Sequence, residues 1–217
     1  MHIGRRLLLC FGLVTLPWLS AGCILVGAAA ATMPPPTIEA QYSNLAGQTV
    51  AVMVWADRDI RVDWPSLQLD LATAIQNRLM QHTAKGKALA GARFVYSPQS
   101  MDDYQQDHPE AEFAPIESTA VRLGVSRLIY VEVEDFSTRT DVAGEMFLGR
   151  ISATLKVVEV DGGRGSVAFE QRDLTCTFPP RAPKEGTLRG SDALMYRGVL
   201  QVLAERIQNQ FVPHEMG

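Results

Sequence analysis

The chain has 217 residues, 47% of them hydrophobic, and a formal net charge of −4. That length suits one domain of ordinary size preceded by a targeting segment. No basic run follows Arg6, which excludes nucleic acid as a partner, because phosphate needs clustered Lys and Arg.

The N-terminus falls into three zones. Arg5 and Arg6 are positive, Leu7 to Leu19 is apolar without a charge, and Ser20-Ala21-Gly22 places small residues ahead of Cys23. This is the layout of a secretory signal. Ala21-Gly22-Cys23 resembles the lipobox of bacterial lipoproteins, in which the cysteine thiol is acylated and the chain is cut just before it. Ala21 and Gly22 then flank the cleavage point, and Cys23 carries the lipid that holds the chain to a membrane. Ser20 departs from the pattern, since Leu is commonest there. The resemblance implies that Ile24, in place of Asp, sorts the chain to the outer membrane, facing the periplasm. An uncleaved membrane anchor stays open, because Leu7–Met33 is 27 residues without a charge, and about 20 apolar residues span a bilayer.

The expected organisation is therefore residues 1–22 as signal, 23–40 as lipidated cysteine and tether, and 41–217 as one domain. Pro34-Pro35-Pro36 stiffens the tether. Losing Arg5 and Arg6 with the signal leaves 18 basic against 24 acidic residues, a mildly acidic domain. Cys176 is then the single cysteine of that domain beyond Cys23, so it has no internal disulfide.

Thr49–Trp55 is apolar and rich in β-branched residues, a strand buried on both faces. Asp57 to Asp63 reads as a polar loop. Asp63 or Trp64 before Pro65 starts a helix whose stripe is Leu67, Leu71, Ile75 and Leu79. Ala92–Tyr96 is a brief strand. Ser100 caps a short helix to about Gln106, and Glu117 to Leu123 is another, stopped at Gly124.

Arg127 to Phe136 is a strong strand. Phe147 to Val160 alternates, with Ile151, Ala153, Leu155 and Val157 on one face. Asp161–Gly165 turns the chain, and Ser166 to Phe178 returns with a change of phase between Phe169 and Leu174, which predicts a bulge. Ser191 or Asp192 caps a last helix with Leu200, Leu203, Ile207 and Phe211 on one stripe. The order predicts an α/β (α+β) fold: a mixed sheet of about five strands with helices packed on it, in a single domain.

The segments Val50-Ala-Val-Met-Val54, Leu123-Gly-Val-Ser-Arg-Leu-Ile-Tyr-Val-Glu-Val133 and Val157-Val-Glu-Val-Asp161 before a glycine turn resemble the domain shared by LpoB, CsgG and the N-terminal part of TolB. The resemblance spans roughly residues 47–178. It implies a non-enzymatic envelope domain that binds a protein partner, and it carries over no functional residue. CsgG forms a pore from paired hairpins. Here Arg150, Lys156, Glu159, Glu170 and Arg172 charge the hairpin's outer faces, which argues against a lipid-facing barrel.

No motif supplies a catalytic set, a metal site or a cofactor. His82, His108 and His214 lack metal-ligand spacing and read as surface residues. Cys176 has no neighbouring base and reads as a buried core residue. Gly162-Gly163-Arg164-Gly165 leads into a strand rather than a helix, so it is a turn and not a phosphate loop. Asp57, Asp59, Asp63 and Asp70 place carboxylates near the end of the first strand, where ligands of α/β sheets often bind. Asp102, Asp103, Asp107, Glu110 and Glu112 surround Tyr104 and His108 as a solvated stretch that suits a basic partner.

The expectation is a membrane-anchored, partner-binding module of the envelope. The alternatives are an envelope hydrolase using Asp57, Asp59 and Asp63, and a structural subunit that self-associates.

Overall fold

A computed structural model of the chain describes residues 36–140 and 146–215. The chain divides into two units, residues 1–38 with 215–217, and residues 39–214. Of the first unit the short exposed strand Thr37–Ile38 is described. The second holds a five-stranded mixed sheet with helices on both faces, as the sequence predicts.

β1 (Thr49–Ala56) lies inside the sheet, and seven of its eight residues are buried. Val50, Val52, Val54 and Ala56 enter one core, and Ala51 and Met53 enter the other. A strand covered on both faces gains from an unbroken apolar run, because each fully buried aliphatic side chain contributes roughly 1.5–3 kcal/mol.

The expected polar loop at Asp57–Asp63 is instead α1 (Arg58–Asp63), a helix with no buried residue. It carries no apolar stripe and so gives no periodic signal. α2 (Leu67–Met80) begins after a turn in which the Leu67 amide donates to the Trp64 carbonyl. Leu67, Leu71, Ile75 and Leu79 are fully buried along it. β2 is shorter than expected, only Arg93–Phe94, and runs parallel to Thr49–Val50.

α3 (Pro98–Asp107) is capped by Ser97, whose hydroxyl accepts from the Ser100 amide. The cap therefore lies three residues before the Ser100 expected, with Pro98 in the first turn where its missing N–H costs nothing. A 3₁₀ turn at Pro109–Glu112 leads to α4 (Ile116–Leu123). β3 (Arg127–Arg139) pairs parallel to β1 and antiparallel to β4 (Phe147–Asp161). β5 (Arg164–Phe178) closes the hairpin at the sheet's far edge. Gly162 and Gly163 both take positive φ in the two-residue turn, the conformation that matches strand twist.

The predicted bulge is present. Ala153 faces Leu174 and Leu155 faces Gln171, so Arg172 and Asp173 together oppose Thr154. Asp173 is left-handed, at φ 57°. α5 (Asp192–Phe211) starts at Ser191, whose hydroxyl accepts from the Leu194 amide. α2 and α5 contribute to the larger core on one face, and α3 and α4 to a smaller core with Val125, Leu128 and Val158 on the other.

The chain enters this unit where β1 and β3 begin. Tyr42 donates its hydroxyl to Glu159 at 2.7 Å and its amide to the Gln210 carbonyl. Arg127, almost wholly buried, donates to the Asn44 carbonyl and pairs with Glu159 at 3.5 Å. Burial, then the Glu159 hydrogen bond, raises the Tyr42 hydroxyl well above the usual phenol range.

Candidate functional site

Strand order is β2-β1-β3-β4-β5. From β1 the chain leaves toward β2 through α1 and α2, and returns past β1 to β3 through α3 and α4. Beyond the carboxyl end of β1 the two crossovers separate, which is where open α/β sheets form ligand crevices. A cleft of about 370 Å³ lies there, lined among others by Trp55, Arg61, Gln68, Asp102, Gln105 and Glu112.

The walls are fixed by backbone that β2 is too short to pair. Gln68 from α2 and Gln105 from α3 each donate a side-chain N–H to the Val54 carbonyl at 3.0 Å. Two helices on opposite faces thus satisfy an oxygen that a longer neighbouring strand would have taken. Gln76 does the same for the Tyr96 carbonyl at 3.2 Å.

Across the cleft, the Arg61 guanidinium lies 4.7 Å from the centre of the Trp55 ring. Its Nη2 donates to both Glu112 oxygens, at 3.1 and 3.3 Å. Its Nε is buried and has no hydrogen-bond partner. The surroundings are acidic. Burial lifts the Asp102 carboxyl above its ordinary value, opposed by a hydrogen bond from Gln106. Tyr130 on β3 is pushed above the phenol range first by burial, then by the nearby charges of Glu132, Glu112 and Asp57. Lys156 reaches Glu132 at 3.4 Å beside that ring.

A second feature lies on the opposite face of the sheet. Trp64 stacks on Tyr196 with centroids 5.4 Å apart, and Phe136 packs edge-on against both. The Tyr196 hydroxyl donates to Asp70 at 2.7 Å. A shallow groove between α2 and α5 runs past this group.

Cys23, Ala21 and Gly22, with residues 1–35, lie outside the described residues. Asp57, Asp59 and Asp63 are exposed at and along α1 rather than gathered in the cleft. Asp70 belongs to the aromatic cluster instead. His108 packs its ring on Tyr104 at 4.6 Å and bonds Glu110. His82 follows α2, where burial and then Lys87 hold its pKa below the usual value. His214 approaches the Val212 carbonyl. Cys176 is buried in the larger core, and burial pushes its thiol pKa up despite Arg206, which disfavours the thiolate. Among the described residues no three His, Cys, Asp or Glu side chains gather in a metal-holding group.

Trp55, Arg61, Gln68 and Gln105 escaped the sequence reading. Trp55 looked like the end of a core strand, and Arg61 like loop. Arg61 and Glu112 are 51 residues apart and meet only in the fold.

No protein-family model matches the chain. No curated protein matches it in sequence. Solved structures do resemble it. The PelC dodecamer from Paraburkholderia phytofirmans aligns at 12% identity and TM-score 0.42, covering 83% of this chain and 95% of that one. Lipoprotein GNA1162 from Neisseria meningitidis aligns at 12% identity and TM-score 0.44, covering 75% and 96%. The hypothetical protein CT253 from Chlamydia trachomatis aligns at 14% identity and TM-score 0.43, covering 76% and 98%. The likenesses thus include a protein named a lipoprotein.

Proposed function

We propose that the chain is a lipid-anchored, non-enzymatic module of the bacterial envelope that works by binding a protein partner. The observation that carries this reading is Ala21-Gly22-Cys23, set behind Arg5, Arg6 and an uncharged apolar stretch. Acylation of Cys23 holds the N-terminus in a bilayer, and two or three acyl chains together anchor far more firmly than one. Ile24 sorts the protein to the outer membrane, with its domain in the periplasm. The resemblance to the LpoB, CsgG and TolB domain points the same way. The scatter of Asp57, Asp59 and Asp63 over exposed helix surface favours binding over hydrolysis, because paired general acid and base groups must converge on one bond.

The test is metabolic labelling of the full chain in a bacterial host with an alkyne analogue of palmitate. The wild-type protein is expected to carry label in the membrane fraction, and Cys23→Ala to carry none. Label retained on Cys23→Ala overturns the anchor. Crosslinking and co-purification from the same membranes test the second half. A reproducible partner lost on altering the cleft is expected, and the absence of any partner counts against the binding role.

A further inference from the structure

Arg61 occupies its place in the cleft poorly for a residue so well surrounded. The Trp55 ring and the Glu112 carboxylate form the two walls that suit a guanidinium, one for the face and one for the edge. A well-matched arginine pairs with a carboxylate through two nitrogens and two oxygens. Arg61 uses Nη2 alone for both Glu112 oxygens, and leaves its buried Nε without a partner.

The helix that carries Arg61 is weakly held. α1 has six residues, none fully buried, and of its two aliphatic side chains Ile60 alone packs against the larger core. Asp57 makes no side-chain cap to it, and Val62 on it is 72% exposed. Helices this short are not stable by themselves, and a segment with so few buried contacts opens at low free-energy cost. Asp102 lines the cleft beside Glu112, and the charges of Glu132 and Asp57 act with that of Glu112 on the nearby Tyr130; negative charge of this kind raises the local concentration of cationic groups.

We propose that the cleft at the end of β1 is a receptor for an arginine side chain of a partner protein, and that Arg61 is an internal stand-in which the partner displaces. This rests on the reading of the chain as a partner-binding module and names the partner's chemistry. An incoming arginine, free of the α1 backbone, aligns both nitrogens of its fork with Glu112 and covers Trp55. α1 swings away with Arg61. A tethered competitor acts at a local concentration on the order of millimolar, so it lowers the apparent affinity for any partner by the fraction of time the cradle is filled.

The experiment is calorimetric titration of the full chain in detergent micelles with the blocked tripeptide Gly-Arg-Gly. The neutral near-isostere Gly-citrulline-Gly is the control. Wild-type protein is expected to bind the arginine peptide weakly. Arg61→Ala is expected to bind it about tenfold more tightly, as removal of a competitor requires, and to ignore the citrulline peptide. Adding Glu112→Gln to Arg61→Ala is expected to abolish the gain. No gain in Arg61→Ala, or equal binding of citrulline, overturns the proposal. If circular dichroism shows that Arg61→Ala does not fold, Arg61→Lys keeps the charge but loses the fork. A severalfold gain is then expected, and its absence overturns the proposal equally. A chain that labels at Cys23 but fails this titration keeps its anchor and loses the arginine partner. One that passes without label keeps the cradle and loses the anchor.

Discussion

Asp192 stands at the first position of α5, where a carboxylate meets the positive end of the helix dipole. It accepts from Thr138 at 2.6 Å and from Arg139 at 2.7 and 3.0 Å. Hydrogen bonds from Arg139, then from Thr138, hold its pKa down at about 2, against the ordinary 3.8. The folded state therefore binds this proton less readily than the unfolded chain. The contribution to stability is complete above pH 4 and is lost as pH falls toward 2. Asp192 and Arg139 are both substantially exposed, so solvent screens the pair and its worth is modest. Asp192→Asn is expected to melt about 2–4 °C below wild type at pH 7. Thermal melts should show the gap closing as the pH is lowered from 4 to 2; a gap that persists at pH 2 contradicts the assignment.

At the scale of elements, the contact between α5 and the hairpin depends on Gly198. A Cβ at that position would overlap the Phe178 ring, its Cε1 and Cγ both within 2.5 Å. Two effects oppose each other in Gly198→Ala. Alanine gains up to about 1 kcal/mol over glycine inside a helix. Overpacking costs typically about 1–3 kcal/mol. The overlapped atoms include Cγ, the ring atom nearest the backbone, so turning the ring does not clear the clash and the cost wins. Gly198→Ala is expected to lose about 1–2 kcal/mol in urea unfolding, and Phe178→Leu in the same chain to recover part of it. The sequence shows the apolar stripe of α5 but not this contact, because Gly198 and Phe178 belong to different elements and neither breaks a local pattern. β3, β4 and β5 were legible for the opposite reason. Their alternation is local, and even the bulge at Arg172 and Asp173 was written as a change of phase. α1 was illegible because a helix with no fully buried residue has no period to read.

The whole molecule makes the same distinction between near and far. The fold class follows from the order of local patterns and was readable. The cleft was half readable: the sequence placed carboxylates at the end of β1, but the walls come from Trp55, Gln68, Gln105 and Glu112, on four separate segments. The hairpin closes across two residues, with Asp161 facing Arg164. The parallel pairing of β1 and β3 brings Thr49 to Ser126, 77 residues on. Closing the longer loop costs more chain entropy, and non-local pairings form late. Pulse-labelled hydrogen exchange during refolding is expected to protect amides of β4 and β5 before those of β1; equal or earlier protection of β1 refutes this order. Both partners of β1 lie far along the chain, β2 at Arg93 and β3 at Arg127, so β1 acquires neighbours after the hairpin strands do. Until then it is an uncharged, proline-free, β-branched segment open to any other unpaired strand. The stretch that holds the finished domain together is thus the one from which an unfinished chain would aggregate.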